Sequence, residues 1–163
     1  MKKEIKNKRG YCGIAFFEPK FEENIGSAIR NCHCFSADFI CIIGKRYSKT
    51  PTDTTDAKKH IPVYEYKNIT DFISHIPVGC ELVSVEVDGE DIKDFKHPER
   101  AIYIFGGEDR TLPIIKDIKR IKIDTKYCLN MAVTSAVILF SRNSLLTPYH
   151  IKMTYPDDFI NKV

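Results

Sequence analysis

Three short segments carry side chains that could hold a substrate or a developing charge. The first is Glu23-Asn24-Ile25-Gly26-Ser27-Ala28-Ile29-Arg30, in which Asn24 opens a helix and Arg30 follows nearly two turns later, so that both can face one cleft. An amide and a guanidinium so placed can bind hydroxyls and phosphates or stabilise an alkoxide. The second is Ile104-Phe105-Gly106-Gly107-Glu108-Asp109-Arg110-Thr111-Leu112-Pro113. Its glycines let backbone approach a ligand, and Glu108 sits where a strand gives way to a helix. The third is Ile121-Lys122-Ile123, a loop, then Tyr127-Cys128-Leu129-Asn130, where Asn130 opens a very apolar helix. Each segment also has a plain structural reading: helix capping for Asn24 and Asn130, a surface ion pair for Arg30, a tight turn with a helix-start carboxylate for Glu108.

The elements that must position these residues alternate along the chain. Strands are expected at Tyr11 to Phe17, Phe39 to Ile43, Val63 to Tyr66, Leu82 to Val87, Ala101 to Phe105 and Ile121 to Ile123. Helices are expected at Glu23 to Phe35, from a cap at Thr70 to Ile76, from Leu112-Pro113 to about Ile118, and at Leu129 to Arg142. The strands are apolar throughout rather than alternating, which implies an α/β fold with a mostly parallel sheet covered by helices on both faces. Ligands of such sheets bind beyond the carboxyl ends of the strands, where all three segments fall. Lys45 to Lys59 reads as a long exposed loop, and the tail from Ser144 has only weak periodicity.

Composition narrows the function classes. The 163 residues, 43% of them hydrophobic, fit one globular domain with a sizeable core. A net charge of +3 permits a polyanionic partner without requiring one. No apolar run approaches the ~18 residues of a membrane span, and the basic Met1 to Arg9 leads into a strand, so a cytoplasmic protein is expected. The six cysteines sit mainly in apolar runs and read as free core thiols; Cys32-His33-Cys34 lacks paired metal knuckles, so no metal site is expected. The chain has no G-x-x-x-x-G-K-[ST] loop, no G-x-G-x-x-G after its first strand and no G-x-S-x-G elbow.

Taken in order, the segments resemble the motifs of the SPOUT-class RNA ribose 2′-O-methyltransferases of the SpoU or TrmH type. Asn24-Ile25-Gly26 through Arg30 is similar to the family's N-x-G-x-x-x-R motif, Phe105-Gly106-Gly107-Glu108 with Leu112-Pro113 to its second, and Ile123 through Leu129-Asn130 to its third. The chain departs from the family pattern at Thr111, where Gly is usual, at Cys128, where Ser is usual, and at Ala132, where Ser is common. The resemblance implies a deep trefoil knot in the C-terminal part of the sheet, S-adenosylmethionine as cofactor and a symmetric homodimer. It further implies Arg30, Glu108, Asn130 and Asn24 as catalytic residues, and a cofactor cradle at Val85, Gly106, Ile123, Cys128 and Leu129. Size places the chain with the small members that act on tRNA. RNA contact is expected at Arg30 and at the long loop's Lys45, Arg46, Lys58 and Lys59, which as a group also read as solvated charge. Two rival readings are an RNA-binding homologue with weak or lost methyl transfer and a monomeric flavodoxin-like small-ligand domain.

Overall fold

The computed structural model describes residues 10–45, 59–107 and 111–146. Six strands form one sheet: β1 (Tyr11–Phe17), β2 (Phe39–Ile43), β3 (Val63–Tyr66), β4 (Glu81–Asp91), β5 (Arg100–Phe105) and β6 (Lys119–Lys122). Their order is β3-β2-β1-β5-β4-β6, and every neighbouring pair is parallel. Three helices complete the described fold: α1 (Glu22–Cys34), α2 (Ile69–Ser74) and α3 (Met131–Leu146).

The period of two along the strands splits the core into two layers. Cys12, Ile14 and Phe16 of β1, with Ala101, Tyr103 and Phe105 of β5, pack against Ile25, Ala28, Ile29 and Cys32 of α1 and Met131, Ile138 and Leu139 of α3. The alternate residues Ala15, Phe17, Ile102 and Ile104 pack with Phe72 of α2 and with Leu112 on the opposite face. Because both faces are covered, the central strands are apolar at nearly every position, which is the pattern the sequence displays.

The order of strand addition reverses at the β1/β5 boundary: β2 and β3 step to one side of β1, whereas β5, β4 and β6 lie on the other. Such a boundary opens a crevice at the strands' carboxyl ends. Beyond β5 the chain passes β4 to reach β6, laying Leu112 and Ile118 on the α2 face. It then arrives at α3 on the α1 face.

Several boundaries differ from the sequence-based expectations. The expected helix at Leu112 to Ile118 is irregular chain with a turn, and Asp117 has φ of +59°. The expectation rested on Pro113, which suits the first turn of a helix and an extended connection alike. The cap of α2 is Asn68, whose Oδ1 accepts from Asp71 N–H at 2.9 Å, rather than Thr70. Asp88-Gly89 does not end β4: Val85 and Glu90 both pair with Ile121, and the residues between bulge out. Gly89, at φ +149°, makes this fit, since a Cβ there would stand 2.7 Å from the Arg120 carbonyl. Of the six cysteines, Cys12, Cys32 and Cys41 are buried and Cys80 is half-buried, but Cys34 and Cys128 are exposed.

Candidate functional site

The carboxyl end of β1 turns sharply. Glu18 adopts φ of +44° while its N–H donates to the Ile43 carbonyl at 2.8 Å. Gly107 packs against this turn so closely that a Cβ would lie 2.6 Å from the Glu18 carbonyl oxygen and 3.1 Å from that of Phe17. The two central strand ends are thus held in contact by bare backbone.

From this turn the chain enters α1 at Glu22, one residue earlier than expected. Phe21 occupies the N-cap without a side-chain hydrogen bond, and Glu22 and Glu23 complement the helix dipole in the first turn. Asn24 is therefore inside the helix, not its cap. Its Oδ1 accepts from Asn130 Nδ2 at 2.9 Å. Asn130 does cap its own helix: its Oδ1 accepts from Ala132 N–H at 2.8 Å, and its carbonyl receives Thr134 N–H at 2.8 Å and the Thr134 hydroxyl at 2.9 Å. The first and third motifs meet through these two amides.

One helical stripe of α1 makes the junction. Asn31, seven residues after Asn24, donates from Nδ2 to the Ala132 carbonyl at 2.8 Å and reaches the buried Ser135 Oγ at 3.5 Å. Sequence reasoning missed Asn31, although the Asn24 to Asn31 spacing puts both on one face. Arg30 is exposed and sits one residue to the side of that stripe, about 9 Å along the axis from Asn24 at ~1.5 Å per residue.

Three of the five expected cradle residues lie on or directly after three adjacent strands. Val85 of β4 pairs with both Phe105 of β5 and Ile121 of β6. Gly106 directly follows β5 and Ile123 directly follows β6; both are half-buried. Cys128 and Leu129 are exposed in the loop before α3. On the α2 side of the same strands a cleft of about 160 Å³ is lined by residues including Ser84, Glu86, Thr111, Pro113 and Arg120. Burial pushes the Glu86 carboxyl up, opposed by the nearby Arg120.

The basic candidates separate. Lys45 lies near the site, its Nζ donating to the Lys20 carbonyl at 3.1 Å and standing 3.9 Å from Glu22. Lys59 adjoins His60, which stacks on His33 at the far end of α1, so it belongs to the opposite end of the sheet. Glu108, Arg46 and Lys58 lie outside the described residues. Among the described residues no group of three or more His, Cys, Asp or Glu could hold a metal ion, and no helix is long and apolar enough to cross a membrane.

A parallel α/β sheet with its polar residues gathered where the strand order reverses, and with two helix starts joined by paired asparagines, defines the class as a SPOUT-type fold. The chain belongs to the SpoU rRNA methylase family, whose model matches residues 12–140. A curated relative, an uncharacterized tRNA/rRNA methyltransferase of Archaeoglobus fulgidus, is 24% identical over 131 residues, 74% of this chain; the match spans 58% of that relative's length. Among solved structures, one described as giving structural insights into 2-OH methylation of C/U34 on tRNA superposes with a TM-score of 0.74 at 21% identity, covering 85% of this chain and 92% of the other. The SpoU methyltransferase AviRb of Streptomyces viridochromogenes, in complex with AdoMet, gives 0.72 at 18% identity, covering 82% and 57%.

Proposed function

We propose that the protein transfers a methyl group from S-adenosylmethionine to a ribose 2′-hydroxyl of RNA, with tRNA as the substrate class. The observation that carries this reading is the Asn24–Asn130 hydrogen bond, which joins two of the three motifs. Support also comes from the relatives: one solved neighbour is described by 2-OH methylation on tRNA and another is a complex with AdoMet.

The residues suit the cofactor. Gly106 and Gly107 leave bare backbone at the end of β5, and the Cys128 to Asn130 loop faces solvent beside it. Val85, Gly106, Ile123, Cys128 and Leu129 would hold the cofactor largely through backbone groups, which tolerates variable side chains. When bound, S-adenosylmethionine supplies a sulfonium-linked methyl group. The protein must orient the ribose and stabilise charge on its 2′-oxygen. Arg30 does this as a cation, clamping a phosphate or balancing the alkoxide, while the 2′-hydroxyl proton passes to solvent water and S-adenosylhomocysteine is left as the thioether product. Asn24 and Asn130 fix the helix that carries Arg30, and Glu108 joins them in holding Arg30 and the nucleotide. Lys45, beside the start of α1, and the adjoining Arg46 contribute phosphate contacts, whereas Lys59 falls away from the site.

The reading includes the assembly and the topology. A C-terminal trefoil knot belongs to this reading, supported by the passage of the chain past β4 and then to the other face before α3. Val133 and Phe140 expose apolar surface along α3, suited to a two-fold interface with a second copy. A second reading, RNA binding with weak transfer, is favoured by Cys128, which sets a weak donor where the family carries a hydroxyl.

Incubation with labelled S-adenosylmethionine and total RNA, followed by nucleoside analysis, tests the proposal. A 2′-O-methylnucleoside in the tRNA fraction is expected; label on a base, or no label, overturns it. Calorimetry with S-adenosylmethionine separates the second reading, which predicts weak or absent cofactor binding.

A further inference from the structure

Two exposed aromatic rings border the Asn24–Asn130 pair, and neither is explained by the motifs. Phe21 is 48% exposed and Tyr127 is 75% exposed. Each precedes one asparagine of the pair by three residues, so its backbone lies within about 11 Å of that asparagine at ~3.6 Å per residue. At Phe21 the chain is tighter still, because Asn24 N–H donates to the Phe21 carbonyl at 3.2 Å.

Each ring carries a cation. Lys20 Nζ stands 5.3 Å from the Phe21 ring centroid, and Lys126 Nζ stands 5.3 Å from that of Tyr127. Both loops are braced. The Lys45 ammonium holds the Lys20 carbonyl, while the Thr125 hydroxyl bridges to the Tyr127 carbonyl at 2.9 Å and the Ile123 carbonyl at 3.5 Å. Helix stability would favour Ser, Asp or Asn at the N-cap, yet that position holds an aromatic ring facing water.

We propose, resting on the RNA methyltransfer reading above, that Phe21 and Tyr127 are stacking platforms for bases of single-stranded RNA next to the target ribose, with Lys20 and Lys126 meeting the adjoining phosphates. An aromatic face beside an ammonium matches the two surfaces a nucleotide offers, a π-face and an anion. Single strands present unstacked bases to such a platform, whereas a duplex keeps its bases stacked inside. The core of a protein interface excludes charge, so a lysine over each ring disfavours a second copy of the chain as the occupant. Stacking is tolerant of base identity, so the platforms set strandedness and register rather than sequence.

The chain contains no tryptophan. Phe21→Trp and Tyr127→Trp therefore each install a sole indole, and Val78→Trp, fully exposed in the turn before β4 at the other end of the sheet, serves as the control. The probes are a 12-nucleotide single-stranded oligoribonucleotide of mixed sequence, its duplex, and inorganic polyphosphate. The single strand is expected to quench positions 21 and 127 but not 78, with little quenching by duplex or polyphosphate. Phe21→Ala and Tyr127→Ala, checked for folding by thermal melts, should each weaken single-strand binding about 5- to 150-fold and raise KM for RNA more than they lower kcat. Equal quenching by polyphosphate, or unchanged binding by both alanine variants, overturns the proposal. So does a shift of those variants from dimer to monomer in light scattering, which would assign the rings to a subunit interface. Quenching without methyl transfer by the wild type would refute the methyltransfer reading alone; transfer that the alanine variants leave unaltered would refute the platforms alone.

Discussion

Asn130 Nδ2 donates to Asn24 Oδ1 across 2.9 Å, joining residues 106 positions apart in the chain. Each stands in or just before the first turn of a helix, and the other end of the Asn130 amide caps α3 through Ala132 N–H. One side chain thus fixes where α3 starts and where it meets α1.

The two functions of Asn130 separate by mutation. Asn130→Ala removes cap and bridge together and should cost about 1–3 kcal/mol, combining a lost cap of ~1 kcal/mol with a lost hydrogen bond of ~0.5–1.5 kcal/mol. Asn24→Ala removes the bridge while leaving the Asn130 cap in place and should cost about 1 kcal/mol. Urea denaturation of both single variants and the double variant gives the coupling; a coupling near zero would show that the bridge contributes nothing.

Arg30 carries the chemical demand of the proposed reaction. Arg30→Ala should abolish transfer while leaving stability within about 0.5 kcal/mol, because the side chain is on the exposed face of α1. Arg30→Lys should also fail if the guanidinium acts through a planar two-point grip on a phosphate. Steady-state assays with tRNA decide it: lysine restoring most of the rate would establish that a point charge suffices.

Strands β1, β2 and β5 and the two long helices were legible because burial on both faces leaves a continuous apolar run, and because α1 shows its stripe at Ile25, Ala28, Ile29 and Cys32; the edge strands β3 and β6 carry polar residues and no such run. The roles of Asn24 and Asn130 were legible only in part. An asparagine before an apolar stripe reads as a cap, which is right for Asn130, whereas Asn24 spends its amide on a partner in another helix. Nothing local encodes that choice. The Leu112 to Ile118 segment was misread because Pro113 suits the first turn of a helix and an extended connection alike. Glu108 falls outside the described residues, so its place beside Arg30 rests on the motif.

Gly107 is held by contact rather than by φ. A methyl group at this position would be forced to within 2.6 Å of the Glu18 carbonyl, and both neighbours are backbone. Gly107→Ala should therefore destabilise the fold by about 1–3 kcal/mol, in the range of overpacking, and should weaken S-adenosylmethionine binding by prising apart the ends of β1 and β5. Thermal melts and calorimetry on one preparation check both effects. An unchanged melting temperature would mean that the turn at Glu18 yields.

Cys128 offers a gain rather than a loss. It is exposed, so Cys128→Ser should leave stability within about 0.5 kcal/mol. A hydroxyl is the stronger donor, and a hydrogen bond of ~0.5–1.5 kcal/mol to the cofactor corresponds to about 2- to 10-fold tighter binding. Calorimetry with S-adenosylmethionine reads this directly, and an unaltered affinity would show that the position does not face the cofactor.

The amino ends of β1 and β5 are locked to α3 by a buried polar network, and this sets an acid limit on stability. His97 is buried, with Nδ1 2.7 Å from the Tyr103 hydroxyl and Nε2 3.1 Å from Ser141 Oγ. Arg142, also buried, donates to the carbonyls of Pro98, Tyr11 and Glu99. Burial, reinforced by the Arg142 charge, lowers the His97 pKa from 6.5 to about 4. The folded state therefore holds this imidazole neutral while the unfolded chain takes up a proton near pH 6.5. The unfolded state binds more protons across the interval, so stability is full above about pH 6.5 and falls as the pH drops toward 4, below which the loss levels off. Denaturation midpoints measured between pH 7.5 and 4 should decline for the wild type, and His97→Gln, which cannot titrate, should decline less over that window. Parallel profiles would place the acid sensitivity in other groups.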